Sequence, residues 1–158
     1  MAKLACIMVA LGLFVAPSVA KADFVLEGSV GVPYNVKEPR GRAPTNVMLA
    51  PGWGLGEMLR AELGIVGDLG DVEGAEFDLQ IRPMLVIDPP LLPLYGRIIV
   101  GVTNLLSDAD TEIAYGGALG LGFSLAGLGA FVEAGLVPIG GADVILLEGR
   151  AGVYISFD

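Results

Sequence analysis

Between Leu147 and Phe157 the chain alternates with a period of two. Leu147, Gly149, Ala151, Val153, Ile155 and Phe157 fall on one side, and Glu148, Arg150, Gly152, Tyr154 and Ser156 on the other. An extended strand puts successive side chains on opposite faces, so this stretch presents one apolar face and one face carrying opposite charges. A sheet of such strands has two ways to satisfy both faces. In water the apolar face turns to a core, whereas in lipid it turns outward and the charges are enclosed.

The same alternation runs through the rest of the chain. It predicts strands at about 24–34, 46–54, 59–66, 76–87, 94–103, 112–123 and 128–137, with the closing strand inside 143–158. Polar, glycine-rich or proline-broken segments separate them. The connections at 35–45, 67–74 and 104–111 are long and those at 55–58, 88–93 and 124–127 are shorter, although the last, 138–142, is also short. Long loops on one rim and short turns on the other are the pattern of an up-and-down barrel. Pro51 and Pro83 fall inside predicted strands. A closed barrel has no free edge to absorb a missing N–H, so bulges there, or a shortened second strand, are expected.

The 158 residues are 54% hydrophobic, with a mean hydropathy of +0.71, yet the chain has one continuous apolar run. Lys3 precedes the run Leu4 to Val15, and small residues at Ala20 and Ala22 follow it. A basic start, an apolar centre of roughly a dozen residues and an A-x-A-like site read as a secretory signal peptide cleaved near Ala22. The expected division is a signal peptide at 1–22 and a single β domain at 23–158, starting at Asp23. Cleavage takes Lys3 and Lys21 away, so nine basic residues become seven against eighteen acids and the formal charge moves from −9 to −11. Nucleic acid is excluded as a partner on that balance. The single cysteine, Cys6, leaves with the leader, and the exported chain has no thiol.

Charge and size decide which face is inside. Turned outward, the polar faces would show water a sparse set of charges diluted by Gly and Ala, a poor soluble surface. Enclosed, Gly116, Ala118, Gly120, Gly122, Gly129 and Gly135 leave room for long side chains from neighbouring strands. By parity the enclosed ionisable set is Glu27, Glu62, Asp78, Glu133 and Glu148 with Arg60, Arg82, Arg97 and Arg150, five acids against four bases. Charges in such a place must be paired and hydrogen-bonded. On the apolar face Phe24, Trp53, Phe123 and Phe157 fall at the short-turn ends, and Tyr34, Phe77 and Tyr115 at the opposite ends. These read as two aromatic girdles at the membrane interfaces. Ten steps from Phe24 to Tyr34, at ~3.3 Å each and a ~40° tilt, span about 25 Å, the height of an outer-membrane apolar band.

The fold class is therefore all-β: an eight-stranded antiparallel up-and-down transmembrane β-barrel behind a signal peptide. With its Gly-rich segment Gly116 to Phe123 and Phe157 next to the end, the chain resembles the small OmpA/OmpX-type outer-membrane barrels over residues 23–158. In that group the last strand usually finishes on an aromatic residue, here offset by Asp158. The resemblance implies insertion by the barrel assembly machinery and an interior filled by side chains. It does not imply a role, because the group is functionally diverse.

The remaining residues offer little catalytic chemistry. With no histidine the chain lacks a Ser-His-acid arrangement and imidazole metal ligands. Gly52 to Gly56 lacks the spacing and lysine of a phosphate-binding loop. Asp108, Asp110 and Glu112, or Asp68, Asp71 and Glu73, offer carboxylates to Ca²⁺ but read first as solvated loop tips. Lys37, Arg40 and Arg42 offer charge-assisted contacts to lipopolysaccharide phosphates, and a merely soluble loop accounts for them equally. The expectation is a non-enzymatic, monomeric outer-membrane protein with a structural or surface-interaction role, without metal or cofactor, whose partners are outer-membrane lipid, lipopolysaccharide and the assembly machinery. The alternative is a soluble periplasmic lipocalin-like barrel with an apolar ligand among inward-facing aliphatics.

Overall fold

The computed structural model describes residues 24–56, 58–89, 92–141 and 143–157. The leader at 1–22, Cys6, Asp23 and Asp158 lie outside the described residues. Nine strands follow one another: β1 (Phe24–Asn35), β2 (Gly41–Arg42), β3 (Asn46–Gly54), β4 (Leu59–Asp68), β5 (Asp78–Ile87), β6 (Leu94–Thr103), β7 (Glu112–Leu125), β8 (Leu128–Gly140) and β9 (Val144–Phe157). Successive strands pair antiparallel from β3 to β9, β1 pairs with β3, and β1 also pairs with β9 from Phe24 opposite Phe157 to Asn35 opposite Leu146. That last ladder closes eight long strands into a barrel. No helix occurs among the described residues.

β2 is the one element the alternation did not announce. It pairs Tyr34 with Arg42 and Asn35 with Gly41, continuing the line of β3 along β1 after the register slips by one residue past Gly31 and Asn46. At the opposite rim Ala126 (φ 51°) and Gly127 (φ 81°) join Leu125 to Leu128. Two central residues with positive φ make the tight hairpin whose twist matches the flanking strands, and glycine suits the second of them.

The prolines correct an expectation. β3 is not shortened, and no bulge occurs at Pro51 or Pro83. Pro51 is partnered by Leu26 of β1, while toward β4 the ladder breaks between Leu49 and Gly52 and resumes in the same register. Pro83 is partnered by Leu63 of β4, while toward β6 it breaks between Ile81 and Met84, again without a slip. Each strand residue donates to one side only, so a missing N–H interrupts one ladder and leaves the other whole. Pro138 behaves likewise, which lets β8 run to Gly140 where a loop at 138–142 was expected. β5 begins at Asp78, two residues later than the alternation suggested, and leaves Phe77 just outside the strand.

The faces sort by chemistry. Val30, Ile98, Val132 and Val153 are exposed on the outer wall, while Glu27, Glu62, Arg82, Arg97, Glu148 and Arg150 are buried within. Apolar residues also enter the interior: Met48, Val66, Met84 and Ile99 cluster towards the long-loop end. The alternative with an aliphatic-lined ligand cavity is not favoured, because the aliphatic wall of the described strands faces away from the axis. A continuous aliphatic belt around the barrel is the surface of a protein solvated by lipid.

Candidate functional site

The polar interior is built in two tiers by residues of one parity on every long strand but β7, whose inward positions from Ala114 to Gly122 are Ala and Gly. Nearer the short turns, Arg97 of β6 is surrounded by three carboxylates. Its Nη2 lies 2.7 Å from Glu27 Oε2 and its Nη1 3.1 Å from Glu27 Oε1, a two-pronged pairing. Nη1 also reaches Glu133 at 3.3 Å, and Nη2 is 3.5 Å from Glu62. Arg60 donates from Nε to Glu62 at 2.5 Å, and the Tyr95 hydroxyl donates to Glu133 at 2.8 Å. The Arg97 guanidinium packs against the rings of both Tyr95 and Phe131, 5.7 and 5.5 Å from their centroids, and Arg60 lies over Tyr154. Such cation–π contacts recover part of what the guanidinium loses in leaving water.

Nearer the long loops, Glu148 accepts from Arg82 at 3.2 Å and pairs with Arg150. Arg150 also donates to Ser29 at 3.0 Å and to Asn46 Oδ1 at 2.5 Å. Arg82 donates to Gln80, which donates to Asp68. The tiers touch where Arg150 Nε comes within 3.6 Å of Glu133. A connected chain of polar contacts thus runs from Asp68 at one rim to Arg60 and Asp88 at the other, where the last contact is 3.9 Å.

Glycines make the space for the large side chains. Tyr95 stands opposite Gly120, Phe131 opposite Gly152 and Tyr154 opposite Gly129 in adjacent strands. A Cβ on Gly120 or Gly129 would sit 2.3 or 2.1 Å from the facing tyrosine ring. The rings lie where the opposing residue has no side chain, an arrangement by which aromatics cover glycines across a ladder. Below them a polar cavity of about 240 Å³ opens at the short-turn rim, with Glu27 and Arg97 among its lining and Arg60, Asp88 and Ser124 around it.

Of the nine ionisable residues selected by parity, eight take part in the ion-pair network, and Asp78 departs from it. Asp78 is buried, but it accepts the backbone N–H groups of Leu106 and Ser107 at 2.9 and 3.1 Å. As the first residue of β5 it stands at the rim, where a loop is nearer than the arginines of the lumen. Neutral partners were missed: Ser29, Asn46, Gln80 and Tyr95 complete the hydrogen bonding. All four share the lumen parity of their strands, Asn46 with Met48 and Ala50, but an uncharged residue does not announce an ion-pair network.

The aromatics of the outer wall stand at both rims. Phe24 packs against Trp53 and Phe157, with ring centroids 5.4 and 5.8 Å apart, and Phe123 is exposed at the same end. Tyr34, Phe77 and Tyr115 are exposed at the other.

Of the loop carboxylates considered for ions, Asp68 and Asp71 have partners within the chain. Asp71 accepts from the Thr45 amide and hydroxyl, each at 2.7 Å, and from Arg42 at 2.6 Å. The Thr45 hydrogen bonds, with Arg42 beside them, hold the Asp71 carboxyl below its ordinary value. Lys37 pairs with Asp143, and Arg40 lies 3.4 Å from Glu38. All three cations considered for lipopolysaccharide phosphates therefore already face acids. Among the described residues no group of three potential metal ligands gathers.

No family model matches the chain, and no curated protein matches it in sequence. In structure it is similar to Neisserial surface protein A, with a TM-score of 0.60 at 10% identity over 85% of this chain and 97% of that one. It is also similar to the N-terminal β-barrel domain of Pseudomonas aeruginosa OprF, with a TM-score of 0.55 at 13% identity over 87% of this chain and all (100%) of that one. A de novo designed transmembrane β-barrel matches with a TM-score of 0.52 at 13% identity, over 90% and 100% of the two chains. The chain has the fold of the small eight-stranded outer-membrane β-barrels, the OmpA/OmpX type.

Proposed function

We propose that this chain is a non-enzymatic outer-membrane protein whose barrel is a rigid, side-chain-filled anchor, with a structural or surface-interaction role carried by its long-loop rim. The observation that carries the reading is the inversion of faces: exposed aliphatics on the outside, with Arg97, Glu27 and Glu62 about 1 to 2% exposed inside. Lipid is then the solvent of the wall, and eight strands enclose little more than their own inward side chains. The apolar run at 4–15 supports export and cleavage near Ala22, and export of such a barrel calls for the assembly machinery. The girdles suit a bilayer partner, whereas the paired state of Lys37, Arg40 and Arg42 gives lipopolysaccharide phosphates little to bind. The barrel's edges are all paired, which favours a monomer.

Two measurements test this. Cell fractionation should recover the protein in detergent-soluble outer membrane, and recovery in soluble periplasm would refute it. A planar-bilayer recording of the purified protein should lack a large, stable conductance. Such a conductance would contradict the filled interior while leaving the membrane location intact.

A further inference from the structure

The polar cavity at the short-turn rim has a balanced lining. Glu27 and Asp88 face Arg60 and Arg97 there, two acids against two bases, and Ser124 and Tyr154 add hydroxyls. One of the pairs is closed: Arg97 gives both terminal nitrogens to Glu27, at 3.1 and 2.7 Å, inside the lumen. The other is open. Arg60 donates from Nε to Glu62, but its Nη1 stands 3.9 Å from Asp88 Oδ2, beyond hydrogen-bond reach. Among the described residues neither the terminal nitrogens of Arg60 nor the half-exposed carboxylate of Asp88 makes a hydrogen bond. A guanidinium fork and a carboxylate therefore stand side by side at the mouth of the cavity, each short of partners.

Charge decides what suits that mouth. A bare anion would meet Arg60 but add to a tier in which Glu27, Glu62 and Glu133 already outnumber Arg60 and Arg97. A bare cation would meet Asp88 but stand beside two guanidiniums. Enclosing either ion leaves a charge without its counterpart, which is the costly case. A molecule carrying both charges escapes the conflict. Its carboxylate takes the planar fork of Arg60 with two parallel hydrogen bonds, its ammonium takes Asp88, and the two dipoles lie antiparallel with each charge beside its opposite. Little is lost in the exchange, because a long, partly solvated Arg–Asp pair is itself worth little. Size agrees: a cavity of about 240 Å³ is the share of roughly eight waters at ~30 Å³ each, which suits an amino acid with a small side chain.

We infer that the short-turn cavity is a binding site for a small zwitterion of the α-amino-acid class, with Arg60 holding its carboxylate and Asp88 its ammonium. The test is NMR of the isotope-labelled protein refolded in detergent micelles and titrated separately with L-alanine, acetate and methylammonium. The Arg60 Nε–H and the amides of Asp88 and Ser124 report on the mouth. L-alanine should shift them saturably, at a concentration lower than either single ion needs by roughly tenfold, the worth of one charge-assisted hydrogen bond. Acetate acting as well as L-alanine would make this a plain anion site, and methylammonium acting as well a plain cation site; either overturns the inference. No saturable shift with L-alanine leaves the cavity to water and overturns it too. Asp88→Asn keeps the backbone N–H that donates to Met58 O and exchanges the carboxylate for an uncharged amide. In that variant L-alanine should lose its advantage and acetate should bind at least as well; an unchanged preference for L-alanine overturns the role given to Asp88. None of these outcomes bears on the membrane reading, which fractionation tests by itself.

Discussion

Replacing Arg97→Met removes one guanidinium from the middle of three carboxylates while keeping most of the stem's volume. The consequences for the three are unequal. Glu62 retains Arg60 at 2.5 Å, and Glu133 retains the Tyr95 hydroxyl at 2.8 Å and Arg150 at 3.6 Å. Glu27 has Arg97 as its one hydrogen-bonding and ion-pairing partner among the described residues. The substitution therefore strands one buried charge, and breaking a buried pair from one side costs ~3–5 kcal/mol. Adding Glu27→Gln should recover part of the loss, since a buried amide short of partners costs only about 1–3 kcal/mol. A coupling of roughly 2 kcal/mol between the two sites follows. Equilibrium urea unfolding in phospholipid vesicles measures it, read through Trp53, the single tryptophan. Arg97→Met within about 1 kcal/mol of the parent, or a double variant at the sum of the singles, would show that water solvates Glu27 and that the ion pair is not what holds this tier.

Three further outcomes are expected. Ala126→Asn should raise stability by about 0.5–1 kcal/mol, because Ala126 occupies a positive φ of 51° at the first centre of a hairpin turn that favours Asn-Gly; an unchanged or lower unfolding midpoint contradicts it. Gly129→Val should cost about 1–3 kcal/mol by overpacking, since its Cβ would fall 2.1 Å from the Tyr154 ring; if the penalty persists undiminished in a Tyr154→Ala background, the ring is not its cause. Asp71, whose folded carboxyl titrates below its ordinary value, contributes its clamp fully above an unfolded pKa of about 3.9 and loses it only as pH falls through the lower folded value. The Thr45 amide proton should follow that titration by NMR, and an apparent midpoint at or above the ordinary carboxylate value refutes the clamp.

The period-two pattern carried most of the fold because it depends on local geometry alone. Alternation assigns a face to each residue whatever its neighbours are, and it placed Val153 outside and Arg150 inside before any pairing was known. Strand ends were less legible. Pro138 reads as a loop in sequence, but in a ladder a proline interrupts pairing on one side only, and β8 runs past it. For the same reason Pro51 and Pro83 produced gaps where bulges were expected. β2 was invisible because a two-residue strand has no period to detect.

The site was legible as a set and illegible as a wiring diagram. Parity gathers the ionisable residues into one lumen, but which arginine meets which carboxylate depends on register and stagger around the closed sheet. Arg97 and Glu27 are 70 residues apart in sequence and on strands that do not pair. Asp78 has the parity of the lumen set and stands too near the rim to use it, so height along the strand matters as much as face. Height is also what lets the network act on the fold. A one-residue slip of β4, β5, β6 or β9 moves its arginine from the lumen to the lipid, and a slip of two residues keeps its face but shifts it several ångströms away from its carboxylates. The belt, being aliphatic along its length, tolerates the second error. The Arg97 and Arg150 clusters do not, and the ion pairs therefore select a register that the hydrophobic pattern leaves open.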